Sequence, residues 1–251
     1  MADELMKPTP ASSPSALETQ AVDRSLRART RNAELLAAAL AMIAGFIDAY
    51  GFITYGVYVS FMSGNTTQTG YLVGQGAFAA AALSALAILF FVGGSFAGTL
   101  LAHFAGRLGQ RVVFGAVAAA LTAVVVFWRL GFVSAGAHVP SISFAMGIMN
   151  SALSRVGAQP VSLTFVTGTL SRVGSSLALA LRGAPLPDAE GPWDTHLRRA
   201  MLLGRIWVGF LAGAVLAGAA TPRFGAWVLL APALILTALA AFGRPNPGAV
   251  G

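Results

Sequence analysis

The chain has 251 residues, of which 56% are hydrophobic and only 10% charged, and it contains no cysteine. Soluble domains carry about 25% charged residues, so this composition excludes an ordinary soluble domain. Its long apolar runs indicate a protein that crosses a membrane several times. The lack of cysteine excludes disulfides, thiolate metal sites and cysteine nucleophiles.

The net charge of +7 does not indicate a nucleic-acid partner. The basic residues lie mostly between apolar runs, where lysine and arginine set membrane topology, and they form no patch interleaved with aromatic residues. His103, His138 and His196 lie far apart in the sequence, so no metal site or cofactor is predicted. The sequence contains no Ser/His/Asp set, phosphate-binding loop or paired carboxylates, so an enzyme is not expected.

Residues 1–33 are polar and rich in serine, proline and alanine, and they are predicted to form a disordered cytoplasmic tail. No apolar core typical of a signal peptide occurs there. Arginines 24, 27, 29 and 31 precede the first apolar run and, by the positive-inside rule, place the N-terminus in the cytoplasm. Contact with anionic lipid is the alternative role of this cluster. A transmembrane domain is expected over residues 34–243, followed by a short tail, 244–251.

The transmembrane domain is predicted to be an all-α helix bundle. Six apolar runs are candidates for full spans: 35–53, 81–105, 112–131, 139–153, 200–220 and 224–242. Polar residues and glycines interrupt two further segments, 57–76 and 161–181, which are predicted to be broken or re-entrant. The alternative is eight full spans. With six spans, the arginines near the membrane fall on the cytoplasmic side except Arg129 and Arg223, so the charge distribution favours six.

The two halves of the domain, about 34–131 and 135–243, resemble each other weakly. Gly45 and Asp48 match Gly147 and Asn150. Two further blocks align in the same order: Phe61, Ser63, Gly64, Thr67 and Gly70 with Phe165, Thr167, Gly168, Ser171 and Gly174, and Gly94, Ala97 and Gly98 with Gly209, Ala212 and Gly213. Three spans in each half predict an inverted repeat, which many secondary transporters use, with a midplane site at discontinuous helices. Eight spans predict parallel repeats, which transporters also contain.

Asp48 is the only acidic residue between residues 35 and 187, and it lies within the first predicted span. A carboxylate inside a span costs roughly 3 kcal/mol on insertion scales, so it normally faces a cavity or a partner. Asp48 is therefore a candidate for carrying a proton or binding a cation. The alternative is a structural hydrogen bond or ion pair that locks the first span. Asn150, its counterpart in the second half, is also polar.

The polar boxes of the two interrupted segments are predicted to be unwound backbone that lines the site, through Ser63, Gly64, Asn65, Thr66, Thr167 and Gly168. Such backbone is tolerated at membrane depth only inside protein or beside water. Both glycines are accordingly predicted to be buried, facing each other near Asp48 and Asn150. A plain extramembrane loop is the alternative. Arg172 is a candidate for neutralising an anionic substrate or pairing with Asp48, or else it is a charge at a cytoplasmic helix end.

Three motifs carry a resemblance to a known family: GFIDAYGF, SFMSGNT and GGSFAG. Together they resemble the YoaK-like family of bacterial integral membrane proteins, a domain of unknown function. The resemblance covers roughly residues 35–243 and implies a six-span membrane protein without an established substrate or reaction. The hydrophilic loop 183–199 and the N-terminal tail look like variable parts.

Two functional hypotheses follow. The first is a small-solute secondary transporter or permease of the bacterial inner membrane, with Asp48 and the broken segments at its site. The second is a non-transporting membrane protein that binds lipid or stabilises a partner. A polar cavity reaching Asp48 would favour the first hypothesis, and a dry bundle with Asp48 bonded to its neighbours would favour the second. The expected partners are the lipid bilayer and an unknown small solute, and a homo-oligomer is left open.

Overall fold

A computed structural model describes residues 16–132, 134–152, 155–156, 159–160 and 164–243 of the chain. These residues form eight α-helices: α1 (Ala16–Tyr55), α2 (Met62–Gly74), α3 (Phe78–Ala105), α4 (Gly109–Arg129), α5 (Ala135–Asn150), α6 (Val166–Leu181), α7 (His196–Phe224) and α8 (Leu230–Phe242). A two-residue antiparallel pair, β1 (Arg155–Val156) with β2 (Gln159–Pro160), lies between α5 and α6. The predicted all-α bundle is confirmed.

Three helical stretches of the described chain are long and apolar enough to cross a membrane: residues 25–55, 78–129 and 196–242. The second and third each contain a 3₁₀ turn, Gly106–Leu108 and Gly225–Leu229. Gly106 and Gly225 both have φ of +53°, a left-handed conformation that glycine adopts without steric cost. Each long stretch is therefore two helices joined by a tight glycine turn.

Cross-contacts give each helix a direction between two ends of the bundle, named here the Glu34 end and the Tyr55 end after residues of α1. The α7 helix runs parallel to α1, because Gly209 lies against Ala38 and Gly213 against Met42. The α5 helix runs the opposite way. Its early residue His138 places Nδ1 2.8 Å from the Tyr55 hydroxyl, and Val156, just beyond α5, lines a small cavity with Glu34.

The remaining long helices fit the same two ends. The α3 helix runs parallel to α5, because Gly94 lies against Phe144 and Gly98 against Ile148. At the Glu34 end, where α4 starts and α8 finishes, Arg111 Nε donates to the Ala240 carbonyl at 2.7 Å. At the other end, the Trp128 and Trp227 rings pack edge to face, 6.0 Å apart. Six helices thus run from one end of the bundle to the other.

The α2 and α6 helices do not run from end to end. The segment from Tyr55 to the start of α3 leaves and returns to the Tyr55 end, and α2 lies within it. The α6 helix likewise lies between Val156 and the start of α7, which are both at the Glu34 end. With 13 and 16 residues, these helices are about 20 and 24 Å long. Both are shorter than the hydrocarbon core of a bilayer, about 30 Å, as α5 and α8 also are, with 16 and 13 residues. What sets α2 and α6 apart is therefore that each lies between two helices that meet at the same end of the bundle.

The packed core lies where α1, α4, α5, α7 and α8 meet, and large apolar side chains fill it: Leu40, Ile47, Leu121, Met146, Leu203 and Leu236. The outer faces of α3 and α7 expose apolar side chains instead, among them Leu89, Phe96, Val208 and Val215. A soluble monomer seldom exposes apolar area on this scale. The distribution therefore fits a bundle whose outer surface meets lipid.

Glycines bring α1 onto α7 and α5 onto α3. A Cβ on Gly45 of α1 would collide with the Phe210 carbonyl of α7, and one on Gly147 of α5 would collide with the Phe91 carbonyl of α3. In the reverse direction, Gly213 lies against Met42 and Gly94 against Phe144. Small residues allow two helix backbones to approach closely in this way.

The predicted disorder of residues 1–33 is wrong for residues 16–33, which belong to α1. Alanine, leucine and arginine are frequent in this stretch, and all three are good helix formers that extend α1 beyond its apolar part. Residues 1–15 and the predicted tail 244–251 lie outside the described residues.

Candidate functional site

The Asp48 carboxylate binds the backbone of the segment that connects α1 to α2. Asp48 is 3% exposed, and its Oδ1 accepts hydrogen bonds from the backbone N–H groups of three consecutive residues, Val59 at 3.0 Å, Ser60 at 2.7 Å and Phe61 at 3.3 Å. These residues immediately precede α2. Unpaired backbone donors are costly to bury, so the carboxylate stabilises this non-helical stretch.

Asn65 and Gln68 brace the same stretch from the α2 side. The buried Asn65 side chain makes two hydrogen bonds with Tyr58: its Oδ1 accepts from the backbone N–H at 3.2 Å, and its Nδ2 donates to the carbonyl at 2.6 Å. Gln68 Nε2 donates to the Gly56 carbonyl at 3.0 Å. Residues 56–61 are therefore fixed on both sides, by α1 and by α2.

The polar boxes are helical, so the prediction that they are unwound is wrong. The box from Ser63 to Gln68 lies within α2, and Thr167 and Gly168 lie within α6. Threonine hydroxyls donate to carbonyls one turn back in the same helix, Thr66 to Met62 at 2.8 Å and Thr67 to Ser63 at 3.1 Å. These bonds satisfy the hydroxyls inside a helix. In the first half, the non-helical backbone lies just before the box, at residues 56–61.

The α2 and α6 helices start with the same local geometry. Phe61 precedes α2 with φ −88° and ψ 76°, and Phe165 precedes α6 with φ −90° and ψ 70°. A Cβ on Gly64 would collide with the Phe61 ring, and one on Gly168 would collide with the Phe165 ring. Each glycine therefore leaves room for the phenylalanine ring of its own segment. Both glycines are half-buried, not fully buried against a facing segment as predicted, because α2 packs on α3 and α6 packs on α7.

The predicted site residues separate into two groups, one on each half of the chain. The first group lies on α1 and α2: Asp48, Ser63, Gly64, Asn65 and Thr66. The second lies on α5 and α6: Asn150, Thr167, Gly168 and Arg172. Asp48 and Asn65 are buried, whereas Ser63, Thr66, Thr167 and Arg172 are exposed.

Asp48 and Asn150 lie at different depths in the bundle. Asp48 is two helical turns, about 10 Å, from Tyr55 along α1. Asn150 is the last residue of α5 and lies nearer the Glu34 end. Its Oδ1 is buried and accepts no hydrogen bond within the part of the chain that the structure describes. The two residues therefore have different surroundings. No cluster of three or more acidic or histidine side chains that could hold a metal occurs among the described residues.

A second polar cluster, which the sequence did not predict, lies at the Glu34 end. Glu34 is 6% exposed and forms ion pairs with Arg198 and, at 3.4 Å, with Arg205. The Arg198 guanidinium lies over the Trp193 ring, 4.2 Å from its centre. These contacts join α1 to the start of α7. The sequence does contain a signal for this ion pair. An acidic residue precedes the first apolar run, and two arginines precede the apolar run 200–220.

The loop between α6 and α7 is fixed by Arg199, although the sequence indicates only a hydrophilic connection. Its guanidinium bonds the carboxylates of Asp188 at 2.9 Å and Asp194 at 2.8 Å. The hydrogen bond from Arg199 lowers the pKa of Asp188. Burial alone would raise the pKa of Asp194, but hydrogen bonds from Arg199 and the Glu190 backbone outweigh burial, so this pKa is also lowered. Both carboxylates are therefore held in their charged form.

Comparison with known proteins identifies the family. A family model described as "Protein of unknown function (DUF1275)" matches residues 36–242. The UPF0700 transmembrane protein RA0705 of Rhizobium meliloti (strain 1021) is 33% identical over 219 residues, covering 84% of this chain and 87% of that protein. The UPF0700 transmembrane protein YoaK of Bacillus subtilis (strain 168) is 27% identical over 203 residues, covering 78% and 88%. No solved structure matches. The chain therefore belongs to the YoaK-like DUF1275 family of transmembrane proteins.

Proposed function

We propose that this protein is a small-solute secondary transporter or permease whose two halves are inserted in the membrane in opposite directions. The observation that carries the proposal is that the first helix of each half packs on a helix of the other half. In the first half this helix is α1, which packs on α7, and in the second half it is α5, which packs on α3. Many secondary transporters are built from inverted repeats that contain discontinuous helices.

Residue-level correspondences support a repeat. The turn glycines Gly106 and Gly225 occupy the same place after α3 and α7. The contacts also make Gly94 of the first half equivalent to Gly213 of the second half. Gly94 lies against Phe144 of α5, and Gly213 lies against Met42 of α1. This pairing is one helical turn further along than the sequence match of Gly94 with Gly209. In this alignment α1 and α5 are equivalent helices of the two halves. They run in opposite directions, as an inverted repeat requires.

The six end-to-end helices are the full spans in this proposal, and α2 and α6 re-enter from opposite sides. The Glu34 end faces the cytoplasm of a bacterial inner membrane, because the arginines that flank the spans cluster there: Arg27, Arg29, Arg31, Arg107, Arg111, Arg182, Arg198 and Arg199. Only Arg129 and Arg223 flank the other end within the described residues. This distribution follows the positive-inside rule.

The solute path is proposed to follow the exposed polar face of α2 and its counterpart on α6. Ser63, Thr66 and Thr67 are exposed on α2, and Thr167 and Ser171 are exposed at the matching positions of α6. Polar groups of a re-entrant helix at membrane depth need water or protein beside them rather than lipid. Hydroxyl groups that are already bonded within their helix can still accept hydrogen bonds from a small polar solute.

The test is solute uptake by the purified full-length protein in liposomes, against a labelled panel of amino acids, sugars, nucleobases and organic acids, with and without a proton gradient. We expect one class to accumulate above protein-free vesicles, and Thr66→Val with Thr67→Val to reduce that uptake several-fold. Thr99→Val is the matched control, because this exposed threonine of α3 makes the same backbone bond, to Ser95 at 2.8 Å. Uptake of no panel member, or equal uptake by all variants, would contradict the proposal.

A second candidate is a non-transporting membrane protein that binds lipid or stabilises a partner. The observation that favours it is the bonding of Asp48, whose Oδ1 is occupied by three backbone donors. Where uptake is found, Asp48→Asn tests whether the Asp48 carboxyl group takes part in it. Loss of uptake by a variant that still folds assigns Asp48 a charge-dependent transport role, whereas unchanged uptake leaves it a structural role. A folded protein that moves no solute and retains a specific lipid or partner favours the second candidate.

A further inference from the structure

We propose that a groove between α1 and α7 binds one acyl chain of an anionic phospholipid, whose phosphate is held by Arg205. The groove has a volume of about 550 Å³ and opens on the outer surface of the bundle. Ala38 and Met42 of α1 and Gly204, Val208 and Ala212 of α7 are among the residues that line it. The proposed site is independent of transport.

The groove is concave because its floor consists of small residues. Gly209 lies against the Ala38 backbone, so the two helices touch closely below the floor. A Cβ on Gly204 would meet no heavy atom within 4 Å, which leaves the groove open at that position. The larger Val208 side chain, 55% exposed, forms part of the wall. Such a surface fits a flexible alkyl chain, which gains dispersion contacts along its length.

Arg205 supplies a positive charge at one end of the groove. Its side chain is 64% exposed and pairs with Glu34 at 3.4 Å. Glu34 is shared with Arg198, so its single negative charge is divided between two guanidinium groups. A guanidinium that is partly free of its carboxylate is suited to hydrogen-bond a phosphate. Arg31 lies two turns before Ala38 on the same face of α1 and adds to the positive field.

The position of Arg205 along α7 matches the headgroup level. It precedes the end of α7 at Phe224 by 19 residues, or about 28 Å. The hydrocarbon core of a bilayer is about 30 Å thick. If Phe224 lies at one boundary of this core, Arg205 therefore lies near the opposite boundary. From Arg205 to Ala212 the groove extends about 10 Å, which is enough for the upper part of an acyl chain. Phosphate and acyl chain can therefore occupy the site together.

The test is native mass spectrometry of the purified full-length protein with phosphatidylglycerol or phosphatidylcholine of identical acyl chains. We expect the wild type to retain phosphatidylglycerol about tenfold better, which corresponds to about 1.4 kcal/mol. Arg205→Gln should abolish this preference, and Arg205→Lys should keep most of it. Gly204→Phe should fill the groove and lower retention of both lipids.

Two controls lie on the same helix outside the groove. Arg223→Gln removes an exposed arginine that bonds its own helix at Ala219. Gly218→Phe places a ring on an exposed glycine that, like Gly204, would have no heavy atom within 4 Å of its Cβ. Both should bind lipid as the wild type does. Equal retention of the two lipids by the wild type, or an unchanged preference in Arg205→Gln, would overturn the proposed preference of Arg205 for an anionic headgroup. Unchanged retention in Gly204→Phe would overturn the groove.

Discussion

The Asp48 carboxylate lies 2.7 Å from the Ser60 amide nitrogen and closes the junction between α1 and α2. Asp48→Asn keeps one oxygen acceptor for the three backbone donors, but an amide NH2 group replaces the second carboxyl oxygen. We expect this variant to fold and to lose about 1–2 kcal/mol of stability. Asp48→Leu leaves three backbone donors unpaired and should lose more than twice as much. Thermal unfolding in detergent measures both variants, and equal stability of Asp48→Leu and wild type would contradict the structural role.

Gly45 and Gly147 make equivalent close contacts, so they should respond alike to substitution. A Cβ at either position would collide with a carbonyl oxygen of the neighbouring helix, which cannot move without shifting that helix. We expect Gly45→Ala and Gly147→Ala each to destabilise the protein by about 1–3 kcal/mol. Gly218→Ala is the control, because its Cβ would meet open space, and it should be neutral or slightly stabilising. A stable Gly45→Ala variant would show that α1 and α7 do not pack so closely.

The sequence predicted the long helices and the two interrupted segments, because apolar length and polar interruptions are local properties. It misplaced the interruption in the first half. The sequence around Asn65 does not indicate that the Asn65 side chain bonds the backbone of Tyr58 in the preceding stretch. Because Asn65 satisfies that non-helical backbone, the interruption lies before the box, and the box itself is helical. The Arg199 ion pairs and the Arg205 groove were also missed, because both depend on how α7 packs against other parts of the chain. The prediction that Gly64 and Gly168 face each other rested only on the symmetry of the repeat. In the structure, Gly64 lies next to the Phe61 ring and Gly168 next to the Phe165 ring.

The Phe61 ring explains why Gly64 is a glycine. We expect Gly64→Ala to destabilise the protein by about 1–2 kcal/mol, because the new methyl group would displace that ring. Adding Phe61→Leu should recover part of the loss, since a smaller side chain can move aside. Gly70→Ala is the control, because a Cβ on this residue of the same helix would meet no heavy atom within 4 Å. If the double variant is no more stable than the sum of the single ones predicts, the ring is not the cause.

The Arg199 clamp should open in acid. The pKa values of Asp188 and Asp194 are lowered in the folded protein, so their contribution to loop stability is complete above the ordinary value near 3.9. It is lost as the pH falls through the lowered values. Trp193 reports the opening, because it stacks with Arg198. We expect its fluorescence, taken as the difference from a Trp193→Phe variant, to change only below about pH 4.

Arg199→Gln tests the cause of that acid transition. Without the guanidinium, the two carboxyl groups should return towards their ordinary pKa values, so the loop should be looser at pH 7 and the acid transition in fluorescence should be lost or much smaller. Arg182→Gln, at an exposed arginine where the same loop begins, should leave the transition unchanged. A wild-type transition near neutral pH, or the same transition in Arg199→Gln, would contradict the assignment.

The inverted arrangement with re-entrant α2 and α6 is tested most directly by the sidedness of two positions. The chain has no cysteine, so Gln75→Cys after α2 and Leu108→Cys in the turn after α3 each provide a single label site, and both residues are exposed. Gly109 is unsuitable because it is buried. With six spans, an impermeant maleimide should label residue 75 in intact cells and residue 108 only after permeabilisation. Labelling of residue 108 but not residue 75 in intact cells would mean that α2 crosses the membrane, and would contradict the inverted arrangement.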